Sequence, residues 1–168
     1  LEAMGIELDE ESMKKVTNRI IELGDKKELV TRDDLPYIIA DVVRSKTIEE
    51  KIEVINYNFS AAMGMKSSAA VKLKIDEKTY EEHASGDGQY DAFMHALKKI
   101  YKKVKKELPK LIDYSVSIPP GGHTDALAQA LITWNLNNQD FRTRGLDGDQ
   151  TIAAIKATIK MLNIIEDM

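Results

Sequence analysis

Hydrophobic residues in the first 45 positions recur every three or four residues, which is the spacing of amphipathic helices. One predicted helix ends near Gly24, and its buried side consists of Met13, Val16, Ile20 and Leu23. A second begins near Thr31, and its buried side consists of Tyr37, Ile38, Ile39 and Val42. Two short helices bury too little surface to fold alone, so we expect them to pack on the rest of the chain.

From residue 52 the spacing becomes alternating, as it does in half-buried strands. Two predicted strands have as their inward residues Ile55, Tyr57, Phe59, Val71, Leu73 and Ile75. A turn at 76–78 leads into a third strand at 79–84, which the glycines of 86–88 interrupt. A long helix follows and is expected to end at Pro109. Its apolar stripe consists of Tyr90, Phe93, Met94, Leu97, Ile100, Tyr101 and Val104.

The second half of the chain repeats this order. It predicts strands at 112–118, 126–136 and 141–144, with a turn at Asn137 and Asn138. A glycine-rich, acidic turn at 145–149 then opens a helix whose apolar side consists of Ile152, Ile155, Ile159 and Leu162. The sequence therefore predicts an α+β fold of duplicated βββα units, with antiparallel sheets and two long helices, preceded by a small helical subdomain.

Composition and charge narrow the possible partners. The 168 residues are 43% hydrophobic and 31% charged, with a net charge of −4, which indicates a globular chain without general affinity for nucleic acid or anionic membranes. Six lysines of the first long helix avoid its apolar stripe and are expected to be solvated: Lys98, Lys99, Lys102, Lys103, Lys105 and Lys106. No apolar run approaches the ~20 residues of a membrane helix. The lack of cysteine is compatible with the cytoplasmic location that we expect.

The glycine-rich turn before each long helix is the feature of most chemical interest. A helix start exposes unpaired backbone N–H groups and carries about half a positive charge, so it suits a carboxylate or a phosphate. Glycines at 86 and 88 would let such a ligand approach the backbone. The alternative is that these glycines only turn the chain and that Asp87 and Asp149 only cap helices.

Catalytic motifs are missing from the sequence. His83, His95 and His123 have no metal-ligand spacing, and residues 147–149 lack the remainder of a calcium loop. There is no nucleophile elbow, phosphate-binding loop or dinucleotide fingerprint. The chain begins at Leu1, and we expect it to be a piece of a longer polypeptide. These observations favour a binding or regulatory module over a self-sufficient enzyme.

Short motifs along nearly the whole chain resemble the C-terminal part of 2-isopropylmalate synthase and its relative citramalate synthase. Segment 85–92, Ser-Gly-Asp-Gly-Gln-Tyr-Asp-Ala, is similar to that family's Gly-Asn-Gly-Pro signature followed by Asp-Ala. Asp87 replaces the usual Asn, and Gln89 replaces the common Pro. Further similar segments are 5–8, 25–28, 33–35, 111–114, 143–147 and 153–157.

The resemblance implies a helical linker subdomain at 1–46 and a regulatory, dimerising domain at 47–168. The parent enzyme would condense acetyl-CoA with a 2-oxo acid in a TIM barrel, using a divalent metal. Neither cofactor is expected in this chain, which is not expected to be catalytic alone. The leading prediction is the feedback-regulatory domain of an isopropylmalate synthase, which would bind L-leucine and transmit inhibition to the barrel. The alternative is a citramalate synthase domain that binds L-isoleucine. A homodimeric scaffold without an effector site is a further alternative.

The resemblance also implies an effector site at the two helix starts. Backbone donors at 86–89 would hold the carboxylate of an amino acid, and an apolar wall would contact its side chain. An acidic residue of the second turn would hold its ammonium group. The implied effector-binding residues are Gly86, Asp87, Gly88, Gln89, Tyr90, Leu111, Tyr114, Ile118, Ala126, Ala128, Asp147 and Gln150.

Overall fold

A computed structural model describes residues 8–25, 35, 38–39, 42, 51–118 and 127–166. Its helices are α1 (Glu10–Asp25), α2 (Gln89–Val104) and α3 (Gln150–Glu166). Its strands are β1 (Ile52–Ser60), β2 (Ser67–Ile75), β3 (Lys78–Gly86), β4 (Lys110–Ser117), β5 (Ala128–Leu136) and β6 (Gln139–Asp147). Among these residues, no helix is both long and apolar enough to cross a membrane.

The strands form two separate antiparallel sheets of three strands each. The first sheet has the order β1-β2-β3 and the second has the order β4-β5-β6. Helix α2 packs mainly on β3 and β2, and α3 packs mainly on β6 and β5. The predicted α+β fold with two βββα units is therefore confirmed.

A β-bulge interrupts the first strand of each sheet. Val54 lies opposite Leu73, whereas the next paired residue of β1 is Asn56, so Ile55 is left between them and is 44% exposed. The prediction that Ile55 points into the core was wrong, because a bulge inserts one residue and reverses the side-chain alternation. The same irregularity occurs in β4 at Ile112, which is 55% exposed, but there every residue of the strand is exposed.

Each sheet contains a tight hairpin that uses residues with positive φ instead of glycine. Asp76 and Glu77 have φ of 49° and 61°, and Asn137 and Asn138 have φ of 51° and 62°. Two consecutive left-handed residues match the twist of the adjoining strands. Both predicted turns are thus confirmed.

The ends of two elements differ from the sequence-based prediction. Helix α2 ends at Val104, because Lys105 adopts a left-handed conformation (φ 58°). The N–H of Lys105 donates to the carbonyl of Lys102 (3.3 Å), and the N–H of Lys106 donates to the carbonyl of Tyr101 (3.1 Å). The prediction that Pro109 ends this helix was wrong. Strand β6 continues to Asp147, so Gly145 lies within the strand and not in the turn.

The core has two parts. The larger lies between the sheets and α2 and α3, and its bulkiest fully buried side chains include Trp134, Tyr101 and Phe93. The smaller joins the N-terminal helical residues to Leu127 and Leu146 of the second half, and it consists of Val16, Leu23, Ile38, Ile39, Val42, Leu127 and Leu146. The predicted packing on the rest of the chain is confirmed for α1 and for the described residues among 35–42, whereas Met13, predicted to be buried, is 39% exposed.

Candidate functional site

The first helix start, Gly86–Gln89, has no side-chain cap. Gly88 is the N-cap of α2 in an extended conformation, and no side chain accepts from the N–H groups of the first turn. Asp87 is exposed, forms an ion pair with Lys66 (3.7 Å), and its own N–H donates to Asp91 Oδ2 (3.0 Å). Within the described residues, the first backbone donors of α2 therefore remain available to an anion.

A buried glycine brings the strand close to this helix. Gly86 ends β3, and a Cβ atom there would overlap the backbone nitrogen and Cα of Ala92. Only glycine permits this approach without displacing α2. The glycine at position 86 thus has a packing function in the structure, whereas Gly88 has open space beside its Cα.

The second helix start, Asp147–Gln150, is filled by its own side chain. Asp149 Oδ1 accepts from the N–H groups of Thr151 (2.7 Å) and Ile152 (2.9 Å), which is the ordinary N-cap arrangement. The capping interpretation from the sequence therefore applies to Asp149 and not to Asp87. The two turns resemble each other in sequence, but only the first leaves its donors uncapped.

The two helix starts are in direct contact. Thr151 Oγ1 lies 3.4 Å from Gln89 Oε1, and the Tyr90 hydroxyl lies 2.7 Å from Thr158 Oγ1. Thr158 Oγ1 also donates to the carbonyl of Ala154 (2.9 Å), so the Tyr90 hydroxyl is the donor to Thr158. Gln150 is exposed at the rim. These two contacts join Gln89 and Tyr90 of the first turn to α3.

Aromatic rings border this region. Tyr90 stacks on Tyr114 of β4 with 5.4 Å between ring centroids, and on Phe93 with 6.4 Å. Burial raises the pKa of Tyr90 above its ordinary value, although the bond to Thr158 opposes the shift. Burial, and then the negative charge of Asp149, raises the pKa of Tyr114. Both phenols are therefore neutral at physiological pH.

A surface of apolar side chains continues from Tyr114 along β4. We call it the β4 apolar surface, and its exposed members are Leu111, Ile112, Tyr114, Val116 and Ile118. Ile118 is 62% exposed. Ala128, predicted to face the effector, is buried in β5, and Ala126 lies outside the described residues. A row of exposed large hydrophobic residues marks a surface that a ligand or a protein covers.

Asp147 is engaged by basic side chains. It is 2% exposed, and its Oδ2 lies 2.5 Å from Lys156 Nζ and 3.8 Å from Arg19 Nη2. The sequence interpretation missed Arg19 and Lys156 as partners. Lys156 is a single charge within the apolar run of 152–159, which is the signal that could have found it.

Comparison with known proteins adds a family assignment to this geometry. The model of the LeuA allosteric (dimerisation) domain matches residues 29–166. The chain belongs to this family. The matched residues of the LeuA allosteric domain include both βββα units and both helix starts.

Similar proteins include synthases of two kinds. A putative (R)-citramalate synthase of Archaeoglobus fulgidus is 32% identical over 96% of this chain and 32% of its own length. The 2-isopropylmalate synthase of Aquifex aeolicus is 30% identical over 97% of this chain and 30% of its length. The (R)-citramalate synthase of Methanocaldococcus jannaschii is 30% identical over 98% of this chain and 33% of its own length. The chain thus spans about a third of the curated relatives that it matches.

The described residues do not fit a metal centre. No group of three or more His, Cys, Asp or Glu side chains in this part of the LeuA allosteric domain is placed to hold a metal ion.

Proposed function

We propose that this chain is the feedback-regulatory domain of a 2-isopropylmalate synthase and that it binds L-leucine. The single observation that carries the proposal is the uncapped start of α2 beside the β4 apolar surface. An aliphatic amino acid has a carboxylate that can bind the uncapped helix start and a hydrocarbon side chain that can pack on the β4 apolar surface. The family assignment, to an allosteric domain, supports this interpretation.

The proposed contacts follow from the geometry of the first helix start. The N–H groups of residues 89–91 bind the effector carboxylate, because they carry the positive end of the helix dipole and have no side-chain cap. Tyr114, which stacks on Tyr90 at this helix start, contacts the aliphatic side chain. Gln89 Oε1, whose one described bond is long at 3.4 Å, accepts from the ammonium group.

A second candidate is an isoleucine sensor from a citramalate synthase. It is kept because the similar proteins include synthases of both kinds. Leucine and isoleucine differ only in the position of one methyl group. In a shaped pocket such a difference changes the binding free energy by about 1–3 kcal/mol. A direct comparison of affinities decides between the two candidates.

Calorimetric titration of this chain with the L-isomers of leucine, isoleucine and valine tests the proposal. We expect saturable binding of leucine, with isoleucine weaker by about tenfold, which corresponds to about 1.4 kcal/mol. D-leucine is the matched control, because it cannot place its ammonium and side chain together once the carboxylate is bound. Tighter binding of isoleucine selects the second candidate. Absence of binding by all three at millimolar concentration overturns the sensor.

We also propose that a second copy of the chain covers part of the β4 apolar surface, giving a homodimer. Support comes from the exposed hydrophobic row on β4 and from the dimerisation function that the family description states. A dimer with no effector site remains the scaffold alternative. It would show association without any amino-acid binding.

Val116→Lys tests this interface. We expect the unaltered chain to sediment as a dimer at micromolar concentration and the variant to sediment as a monomer, because association would bury an unpaired charge. Met63→Lys is the control, since Met63 is fully exposed in the β1–β2 loop, away from β4. A Val116→Lys variant that remains dimeric places the interface elsewhere.

The catalytic reaction is assigned to the part of the enzyme that lies outside this chain. That part would contain the barrel, the divalent metal and the acetyl-CoA site, and this chain would be cytoplasmic with it. The N-terminal helical residues, which the smaller core joins to the second sheet, would transmit effector binding to the barrel. Such coupling between sites is typically about 1–3 kcal/mol.

A further inference from the structure

A buried ion cluster joins α1 to the second helix start. Its centre is the Asp147 carboxylate, which lies near the cationic groups of Lys156 and Arg19. Arg19 Nη2 also donates to the carbonyl of Leu146 (2.7 Å), and Arg19 Nη1 pairs with Glu22 (2.6 Å). We call these four charged residues the Asp147 ion cluster. The Arg19 side chain is only 11% exposed, so these contacts are little weakened by solvent.

The charges at the centre of the cluster are largely removed from water. The side chains of Asp147 and Arg19 are 2% and 11% exposed, whereas Glu22, at the edge of the cluster, is 50% exposed. Burial lowers the pKa of Lys156, while its bond to Asp147 opposes that shift. A carboxylate as buried as that of Asp147 needs cationic partners close to it, and Arg19 of α1 is one of them. Docking of α1 and the position of Asp147 are therefore energetically linked.

Hydrogen bonds continue from Asp147 to both long helices. Asp147 Oδ1 accepts from the N–H of Asp149 (3.2 Å), and Asp149 caps α3 through Thr151 and Ile152. The Thr151 hydroxyl then reaches Gln89 Oε1 at the first helix start (3.4 Å). The described contacts thus form an unbroken series from α1 to the uncapped turn of α2.

We propose that Asp147 is a positioning residue that couples the docking of α1 to the geometry of both helix starts. When Arg19 holds Asp147, the Asp149 cap and the Thr151 hydroxyl are fixed, and Gln89 is fixed through them. Loss of α1 docking releases this arrangement, and a ligand on the first helix start favours docking in return, because coupling is reciprocal. The identity of that ligand rests on the proposed function, whereas the coupling itself does not.

Hydrogen exchange on the variant Arg19→Met tests the coupling without any ligand. Met keeps an apolar stem but makes neither contact to the second helix start. We expect exchange of the Ile152 and Ala153 amides at α3, and of Ala92 at α2, to accelerate about fivefold or more. These amides bond to Asp149 and Gly88 in the structure. The amides of Val71 and Leu73 in β2 report any global loss of stability, and we expect them to be unchanged.

Lys15→Met is the matched control, since it removes one positive charge from the same helix at an exposed pair with Glu11. It should leave all of these amides unchanged. Faster exchange confined to α1 in Arg19→Met would overturn the coupling.

Leucine titration of the same two variants separates this proposal from the sensor proposal. We expect Arg19→Met, and not Lys15→Met, to weaken leucine binding by about fivefold or more. Equal affinity in both variants overturns the coupling while the sensor stands. If the unaltered chain binds no amino acid, the sensor fails, and the exchange result still decides the coupling.

Discussion

Gly145→Ala is expected to lower the free energy of unfolding by about 3 kcal/mol, because overpacking of a tight core contact costs about 1–3 kcal/mol or more. Gly145 lies in β6 directly under α3, and a Cβ atom there would overlap the carbonyl group of Ala153 and the nitrogen of Ala157. These are backbone atoms, so rotation of a side chain does not relieve the overlap. Thermal unfolding should show a fall in Tm of roughly 6–12 °C for a chain of this size.

Gly24→Ala is the control for that experiment. Gly24 is exposed in α1, and a Cβ atom on it has nothing within 4 Å. Alanine favours the helix, so this variant should be more stable by about 0.5–1 kcal/mol. A Gly145→Ala chain that unfolds at the same temperature as the unaltered protein would contradict the close approach of β6 and α3.

Gly88→Asp is expected to weaken leucine binding by more than a hundredfold while slightly raising stability. The substitution gives the first helix start the cap that Asp149 gives the second. An aspartate there competes for the backbone donors and repels a second carboxylate, and the loss of charged hydrogen bonds amounts to about 3 kcal/mol. The helix itself gains only a few tenths of a kcal/mol, because glycine is already a tolerable N-cap. Calorimetry and urea unfolding measure the two effects.

Gly88→Ala distinguishes blocking of the site from a change in chain conformation. Alanine has no capping group, so α2 should lose about 0.5–1 kcal/mol, yet its donors remain free and leucine affinity should stay within a few-fold. Gly88 has an extended backbone and open space beside it, so either side chain fits. Equal leucine affinity in the Asp and Ala variants would place the effector carboxylate elsewhere.

Alternation along the sequence predicted the strands well where the pairing is regular. Val71, Leu73 and Ile75 point inward as expected, because β2 contains no inserted residue of its own and pairs with β3 in continuous register. Ile55 fits the same pattern yet is exposed, because a bulge inserts it between two paired residues of β1. A bulge depends on how the strand pairs with its neighbour, so the periodicity of a single strand does not predict it.

The candidate site was predictable in its local parts and not in its long-range contacts. The glycine turns, Tyr90 and Tyr114 follow from local patterns and from the family resemblance. The contact of Arg19 with Asp147 joins elements more than a hundred residues apart, and its partners are charged residues with no distinctive spacing. The sequence also does not show that only the second turn is capped, because capping depends on where the carboxylates of Asp87 and Asp149 lie relative to the backbone N–H groups.

The bulges of β1 and β4 bear on how copies of this domain associate. A regular outer strand has an uninterrupted row of unpaired backbone donors and acceptors. A strand of another copy can pair with this row, and repeated pairing of this kind leads to aggregation. The extra residue at Ile55 and at Ile112 breaks that row in β1 and in β4. Chains that meet at β4 would then join through the side chains of the β4 apolar surface and not by extending a sheet from strand to strand.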